Sequence, residues 1–184
     1  IALIQKIITK LTPLIASFKL GNAIKNGINV AIVGKPTAGK STLLNALLNE
    51  ERAIVSEIAG TTRDTIEETL NINGILFRFI DTAGLREATD TIEKIGVEKA
   101  FAEIDKSSVY VYLFDMNTTN LTEVDFELSL LNKEVPRILL ANKTDLVSDE
   151  KMAEFKNSAH EFIFISAKKK IKIEELKESL YGKV

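Results

Sequence analysis

Cysteine is absent from this 184-residue chain, which removes disulfides, thiolate metal sites and cysteine nucleophiles. Net charge is also nearly absent. The 24 Lys and Arg stand against 26 Asp and Glu, a formal charge of −2, so no overall field would by itself hold nucleic acid or an anionic membrane. The longest apolar runs reach about six residues, far short of the roughly 20 that a membrane-spanning helix needs. No signal-peptide pattern opens the chain, and it begins at Ile1 rather than Met, as a fragment cut from something larger would. Internal repeats and low-complexity tracts are missing, and the sequons at Asn117 and Asn120 carry little weight without a secretory context. What is present is 45% hydrophobic, enough for one buried core in a domain of ordinary size plus some extra. A soluble, cytoplasmic protein is expected.

Ile4, Ile7, Ile8, Leu11, Leu14, Ile15 and Phe18 recur at helical spacing. They predict an amphipathic helix over residues 1 to about 20, with Pro13 able to bend it and Gly21 and Gly27 punctuating its end. From residue 28 the pattern changes to short apolar runs separated by helical segments. Strands are predicted at 28–33, 65–72, 75–80, 108–114, 137–141 and 162–165, and helices at 40–49, 92–104, 123–131, 149–157 and 173–180. This alternation implies an α/β fold in which a mostly parallel sheet carries helices on both faces. Asn73-Gly74 is a two-residue hairpin signal, so one strand should run antiparallel. The apolar stripe of the first helix either packs on the domain's own surface or belongs against a neighbouring domain outside the chain.

Residues 34 to 41, GKPTAGKS, match the pattern Gly-x-x-x-x-Gly-Lys-[Ser/Thr] and lie between a predicted strand and a predicted helix. A triphosphate must be met by donors that approach closely, and Gly34 and Gly39 leave no side chain between backbone N–H groups and phosphate. Lys40 would reach the β and γ phosphates, and the Ser41 hydroxyl would hold a bridging Mg²⁺. Thr37, Ala38 and Thr42 complete the phosphate-binding set, and the following helix points its positive end at the same anion.

Further polar groups fall in order at strand ends, where doubly wound sheets bind ligands. Asp81-Thr82-Ala83-Gly84 ends the third strand; its carboxylate would meet the Mg²⁺ shell through water, and Gly84 could offer its amide to the γ-phosphate. Asn142-Lys143-Thr144-Asp145 follows the fifth. The Asp145 carboxylate can accept both N1–H and N2–H of guanine, donors that adenine lacks, and such a pairing can reject the wrong ligand by roughly 10⁴ to 10⁵. Asn142 would tie the loops together, and the Lys143 stem would cover the base plane. Ser166-Ala167-Lys168 follows the last strand, where backbone amides can meet the guanine O6.

These residues are the set carried by Ras-like GTPases. The runs AIVSEIAGTTRD and IDTAGLREATDTIEKIGVEKA, with the KLGNAIKNG entry before the first strand, narrow the likeness. Across nearly the whole chain they resemble the G domain of the MnmE (TrmE) family of tRNA modification GTPases. In that family the G domain is inserted in a helical domain and follows a folate-binding domain. The resemblance therefore implies a helical segment at 1–22 and a G domain at 23–184.

It also implies a mechanism. Leu85 stands where Ras-like switches place a water-orienting glutamine, so by resemblance that role passes to Glu93, with Lys40, Thr62 and Gly84 as the other catalytic groups. K⁺ would take the place of an arginine finger, held by main-chain oxygens of Ser56, Ile58 and Thr61, while Thr62 and Asp81 join Ser41 around Mg²⁺. The family's loop carries asparagine, a K⁺ ligand, where this chain has Thr37, which implies weaker K⁺ binding or a ligand supplied through water. Arg63 and Asp64 match the family motif and are assigned only to shaping the switch. The resemblance further implies G-domain pairing in GTP and K⁺, the FAD-dependent partner MnmG, and aminomethyl-type modification of the wobble uridine of tRNA. A GTP-gated switch of the Era or Der kind, toggling an RNA contact, is the competing reading, and a catalytically weakened domain is a third; Leu85 does not separate the first two.

Overall fold

The computed structural model describes residues 2–51, 68–80 and 101–184. The first helix, α1 (Ala2–Asn26), is longer than periodicity suggested. Gly21 does not end it: a lone exposed glycine costs a helix only about 1 kcal/mol. Gly27 does, because its φ of +75° is left-handed and its N–H closes on the Ala23 carbonyl at 2.9 Å. Ile4, Ile7, Ile8, Leu11, Leu14, Ile15 and Phe18 are all exposed, and among the described side chains of α1 Ala23 is the apolar one that joins the core.

Beyond α1 the chain alternates strand and helix: β1 (Ile28–Val33), α2 (Lys40–Glu51), β2 (Glu68–Ile72), β3 (Ile75–Phe79), β4 (Val109–Asp115), α3 (Leu121–Leu130), β5 (Arg137–Asn142), α4 (Asp149–Lys156), β6 (Phe162–Phe164) and α5 (Ile173–Tyr181). Residues 101–106 are helical as well, the described part of the helix expected over 92–104. The sheet order is β2-β3-β1-β4-β5-β6. All neighbours pair in parallel except β2 and β3, which form the hairpin that Asn73-Gly74 signalled. Both turn residues have positive φ, 51° and 87°, as the tight turn demands.

Alternation along each strand divides the core between the two faces. Val30 and Ile32 of β1 and Val109, Val111 and Leu113 of β4 point to one side, where α2 contributes Leu43 and Leu47 and α5 contributes Ile173, Leu176 and Leu180. Ala31 and Val33, with Tyr110, Tyr112 and Phe114, point to the other, against Ile104, Val124 and Leu128 of α3, and Phe155 of α4. Each such fully buried aliphatic or aromatic side chain contributes about 1.5–3 kcal/mol, so β4, buried at every position, is the spine of the domain. On the second face Phe114 stacks on Phe155 (centroids 5.5 Å apart) and meets Phe162 edge-on at 5.4 Å.

Helix α3 starts two residues earlier than hydrophobic periodicity placed it. Asn120 caps it, accepting the Glu123 N–H at 2.9 Å while its own amide reaches back to the Glu123 carboxylate. No helix among the described residues is long and apolar enough to cross a membrane.

Candidate nucleotide site

The carboxyl ends of β1, β4, β5 and β6 lie along one edge of the sheet, and the loops that leave them form the site. After β1 the chain turns at Gly34, whose φ is +146°; a side-chain carbon there would be driven into the Leu113 carbonyl oxygen of β4. The single turn Pro36–Ala38 follows, and Gly39, at φ +95°, leads into α2. A Cβ on Gly39 would lie 2.7 Å from the Asn142 amide nitrogen. Both glycines are thus fixed by left-handed backbone and by a close neighbour.

Lys40 opens α2 and curls back over the loop, donating to the carbonyls of Gly34 (2.7 Å) and Lys35 (3.0 Å). Burial holds its ammonium below the ordinary lysine range, against the pull of Glu103. A phosphate brought to this lysine would relieve that cost. Thr37, Ser41 and Thr42 are exposed at the mouth of the loop, and Ala38 is buried beneath it.

Asn142 joins three segments. It ends β5 only 2% exposed; its amide donates to the Ala38 carbonyl at 2.8 Å, and its oxygen accepts the Ala167 N–H at 3.0 Å. The phosphate loop and the loop after β6 therefore share one side chain. Asn142→Ala orphans a buried carbonyl and a buried N–H. The expected loss is about 2–4 kcal/mol in urea unfolding, with weakened nucleotide binding by titration calorimetry.

Lys143 adopts φ +63° and extends its ammonium to Asp115, 2.7 Å away at the register partner of Asn142. Asp115 also accepts the Asn117 N–H at 2.9 Å, so one carboxylate fixes both the Lys143 stem and the loop leaving β4. Sequence reasoning missed Asp115; its signal was a lone carboxylate ending an apolar strand. Asp145 lies in the turn Thr144–Leu146, which Thr144 pins through N–H and hydroxyl bonds to the Ile165 carbonyl. Its side chain is 8% exposed. The Ser166 hydroxyl, with lesser help from Lys169 at 3.5 Å, holds its carboxyl below the usual carboxylate range in spite of burial, so it stays ionised at neutral pH.

Of the three amides in Ser166-Ala167-Lys168, the first donates to the Ile171 carbonyl and the second to Asn142. The amide of exposed Lys168 is the one left to offer a base oxygen. The structure thus brings together Gly34, Thr37, Ala38, Gly39, Lys40, Ser41, Thr42, Asn142, Lys143, Asp145, Ser166, Ala167 and Lys168. Ser56, Ile58, Thr61, Thr62, Asp81, Gly84, Leu85 and Glu93 lie outside the described residues. A cleft of about 240 Å³ opens beside the phosphate loop, between Lys35 and Thr37 on one side and Thr118, Glu123 and Glu127 on the other.

Comparison with known proteins agrees with this arrangement. Residues 29–143 match the family described as 50S ribosome-binding GTPase. The tRNA modification GTPase MnmE of Cytophaga hutchinsonii is 53% identical over 97% of this chain and 39% of its own length, and that of Christiangramia forsetii is 50% identical over 97% and 41%. The chain thus spans about 40% of the length of these curated relatives. Among solved structures, a single-substitution variant of Era from Aquifex aeolicus bound to GDP and AlF4⁻ is similar, with a TM-score of 0.60, 28% identity and coverage of 85% of this chain and 56% of that one. Era in complex with MgGDPNP and a 16S ribosomal RNA segment gives 0.61 at 27% identity, covering 84% and 56%. The match over residues 29–143, at the strand ends where the phosphate loop and the Asn142 tie are found, means that the chain belongs to this GTPase family and is a P-loop domain that binds guanine nucleotide and hydrolyses GTP.

Proposed function

We propose that this domain supplies the GTP cycle of a cytoplasmic tRNA modification GTPase of the MnmE kind, and that its G domains pair when GTP and K⁺ are bound. The observation that carries the reading is the Asn142 tie between the phosphate loop and the base-recognition loops. About 50% identity to MnmE proteins over 97% of the chain supports it. Residues 1–22 belong with a helical domain outside this chain, which accounts for the apolar face that α1 leaves uncovered; the G domain is 23–184. Modification of the wobble uridine, carried out with the FAD-dependent partner MnmG, belongs to the assembled protein and its tRNA.

Within the site, the loop amides and Lys40 cradle the phosphates, Asp145 accepts the two guanine donors, and the Lys168 amide meets O6. Ser41 presents an exposed hydroxyl at the first turn of α2, a hard oxygen suited to Mg²⁺. Ser41, Thr62 and Asp81 would hold Mg²⁺, and the Thr37 hydroxyl with main-chain oxygens of Ser56, Ile58 and Thr61 would hold K⁺; when bound, the ions would supply positive charge against the phosphates. Glu93 orients the attacking water, and Gly84 donates its amide to the γ-phosphate.

Phosphate release measured in K⁺ and in Na⁺, alongside light scattering for GTP-dependent pairs, tests this reading. Faster turnover and pairing in K⁺ are expected, and equal rates in the two salts would remove the K⁺ role. Because Thr37 offers a shorter arm than the asparagine of the family, Thr37→Asn is expected to lower the K⁺ concentration needed for half-maximal rate. Superimposable activation curves would overturn that part. The likeness to Era favours one second reading, a GTP-gated RNA contact, for which this chain would bind an RNA hairpin more tightly with GTP than with GDP.

A further inference from the structure

The phosphate loop is anchored from outside the nucleotide site. Lys35, directly after Gly34, sends its side chain across the cleft to α3, where Glu127 lies 3.0 Å away and Glu123, one turn earlier, 3.4 Å. Glu127 is itself fixed, since its second oxygen accepts the Tyr112 hydroxyl at 2.8 Å. Tyr112 is 2% exposed in β4, where it is the strand partner of Val33 and directly precedes Leu113, whose carbonyl abuts Gly34. The carbonyl of Lys35 meanwhile accepts the Lys40 ammonium at 3.0 Å. A continuous line of contacts thus runs from a buried hydroxyl through Glu127 and Lys35 to the lysine of the phosphate loop.

An exposed ion pair ordinarily contributes little, because holding two long side chains in one geometry costs entropy. Here that cost is already reduced. Tyr112 immobilises Glu127, which is 26% exposed, and two carboxylates at i and i+4 converge on the same ammonium. The pairing also offsets the charge of Glu123 and Glu127, which would otherwise repel a polyphosphate arriving beside Thr37 on the wall of the same cleft.

We propose that Glu127 is a positioning residue for GTP binding: through Lys35 it holds the backbone of the phosphate loop in the form that receives phosphate, and this hold outweighs the repulsion of its own charge, which Lys35 offsets. The proposal rests on the reading of residues 34–41 as the phosphate-binding loop.

Titration calorimetry of the chain with GDP and Mg²⁺ tests it. Glu127→Gln keeps an acceptor for Tyr112 and nearly the same volume, so the melting temperature should hold. Affinity for GDP should fall by about three- to fivefold at low salt, the range open to a half-exposed ion pair, and recover part of that difference at high salt. Lys35→Met should give a similar fall, Lys35→Arg should restore near wild-type affinity, and Glu123→Gln should do less. In the Glu127→Gln, Lys35→Met double variant the loss should match the larger single loss rather than their product, because both changes cut one line of contact. Unchanged affinity in Glu127→Gln, or losses that multiply, would overturn the proposal. A lowered melting temperature with unaltered affinity would also overturn it, leaving Glu127 a purely structural role. Absence of GDP binding by the wild-type chain would instead remove the underlying nucleotide reading.

Discussion

Asp145→Asn is expected to weaken binding of guanine nucleotides by about 10²- to 10⁴-fold while leaving the fold in place. Two charge-assisted hydrogen bonds, at about 1.5–3 kcal/mol each, account for the size of the effect. An ionised carboxylate accepts both N1–H and N2–H of guanine, whereas an amide turns one of its two atoms into a donor that faces the 2-amino group. The fold should survive because an amide oxygen still accepts the Ser166 hydroxyl, and the Lys169 contact that is lost is long and involves an exposed lysine. The same substitution should improve binding of xanthine nucleotides, whose 2-oxo group accepts what guanine's amino group repels. Competition against a fluorescent GDP analogue measures both. Equal guanine affinity in the variant would mean that the base is read elsewhere.

Gly34→Ala is expected to cost about 3–5 kcal/mol and to lower the melting temperature by roughly 10 °C, with GDP binding lost. Two penalties combine at this position. A φ of +146° is strained for any residue with a side chain, at about 1–3 kcal/mol. The added methyl would also run into the Leu113 carbonyl, which cannot move without disturbing the pairing of β1 with β4 at the centre of the sheet. Circular dichroism melting with a parallel GDP titration decides the matter, and a melting temperature within a degree or two of wild type would show that the loop re-forms around alanine.

The ends of strands and the chemistry attached to them were legible because each carries its own local signal. Gly34 to Ser41 has fixed spacing, Asn73-Gly74 has turn chemistry, and β4 is a short uninterrupted apolar run of the kind a strand buried on both faces carries. Long-range pairings left no such trace. Nothing in the string ISAKKK says that the Ala167 amide is engaged by Asn142, 25 residues earlier, nor that Asp115 restrains Lys143. Lys35 and Glu127 are separated by most of a helix and several strands, and charged residues at a helix surface are common enough that neither stood out. The start of α3 was misplaced for a local reason: Asn120 was read as part of a sequon instead of as a cap.

The uncovered side of α1 bears on every measurement of association. Leu3, Ile4, Leu14 and Phe18 each expose more than half of their surface, with Phe18 at 70%, and a greasy rod of that kind is expected to stick to its own copies in dilute buffer regardless of ligand. A sedimentation or scattering result on this polypeptide would then contain a constant background of aggregation through α1. Only the increment that appears with GTP and disappears with GDP can be credited to the catalytic face, and trimming or re-surfacing the rod with charged residues is the way to lower that background before the comparison is made.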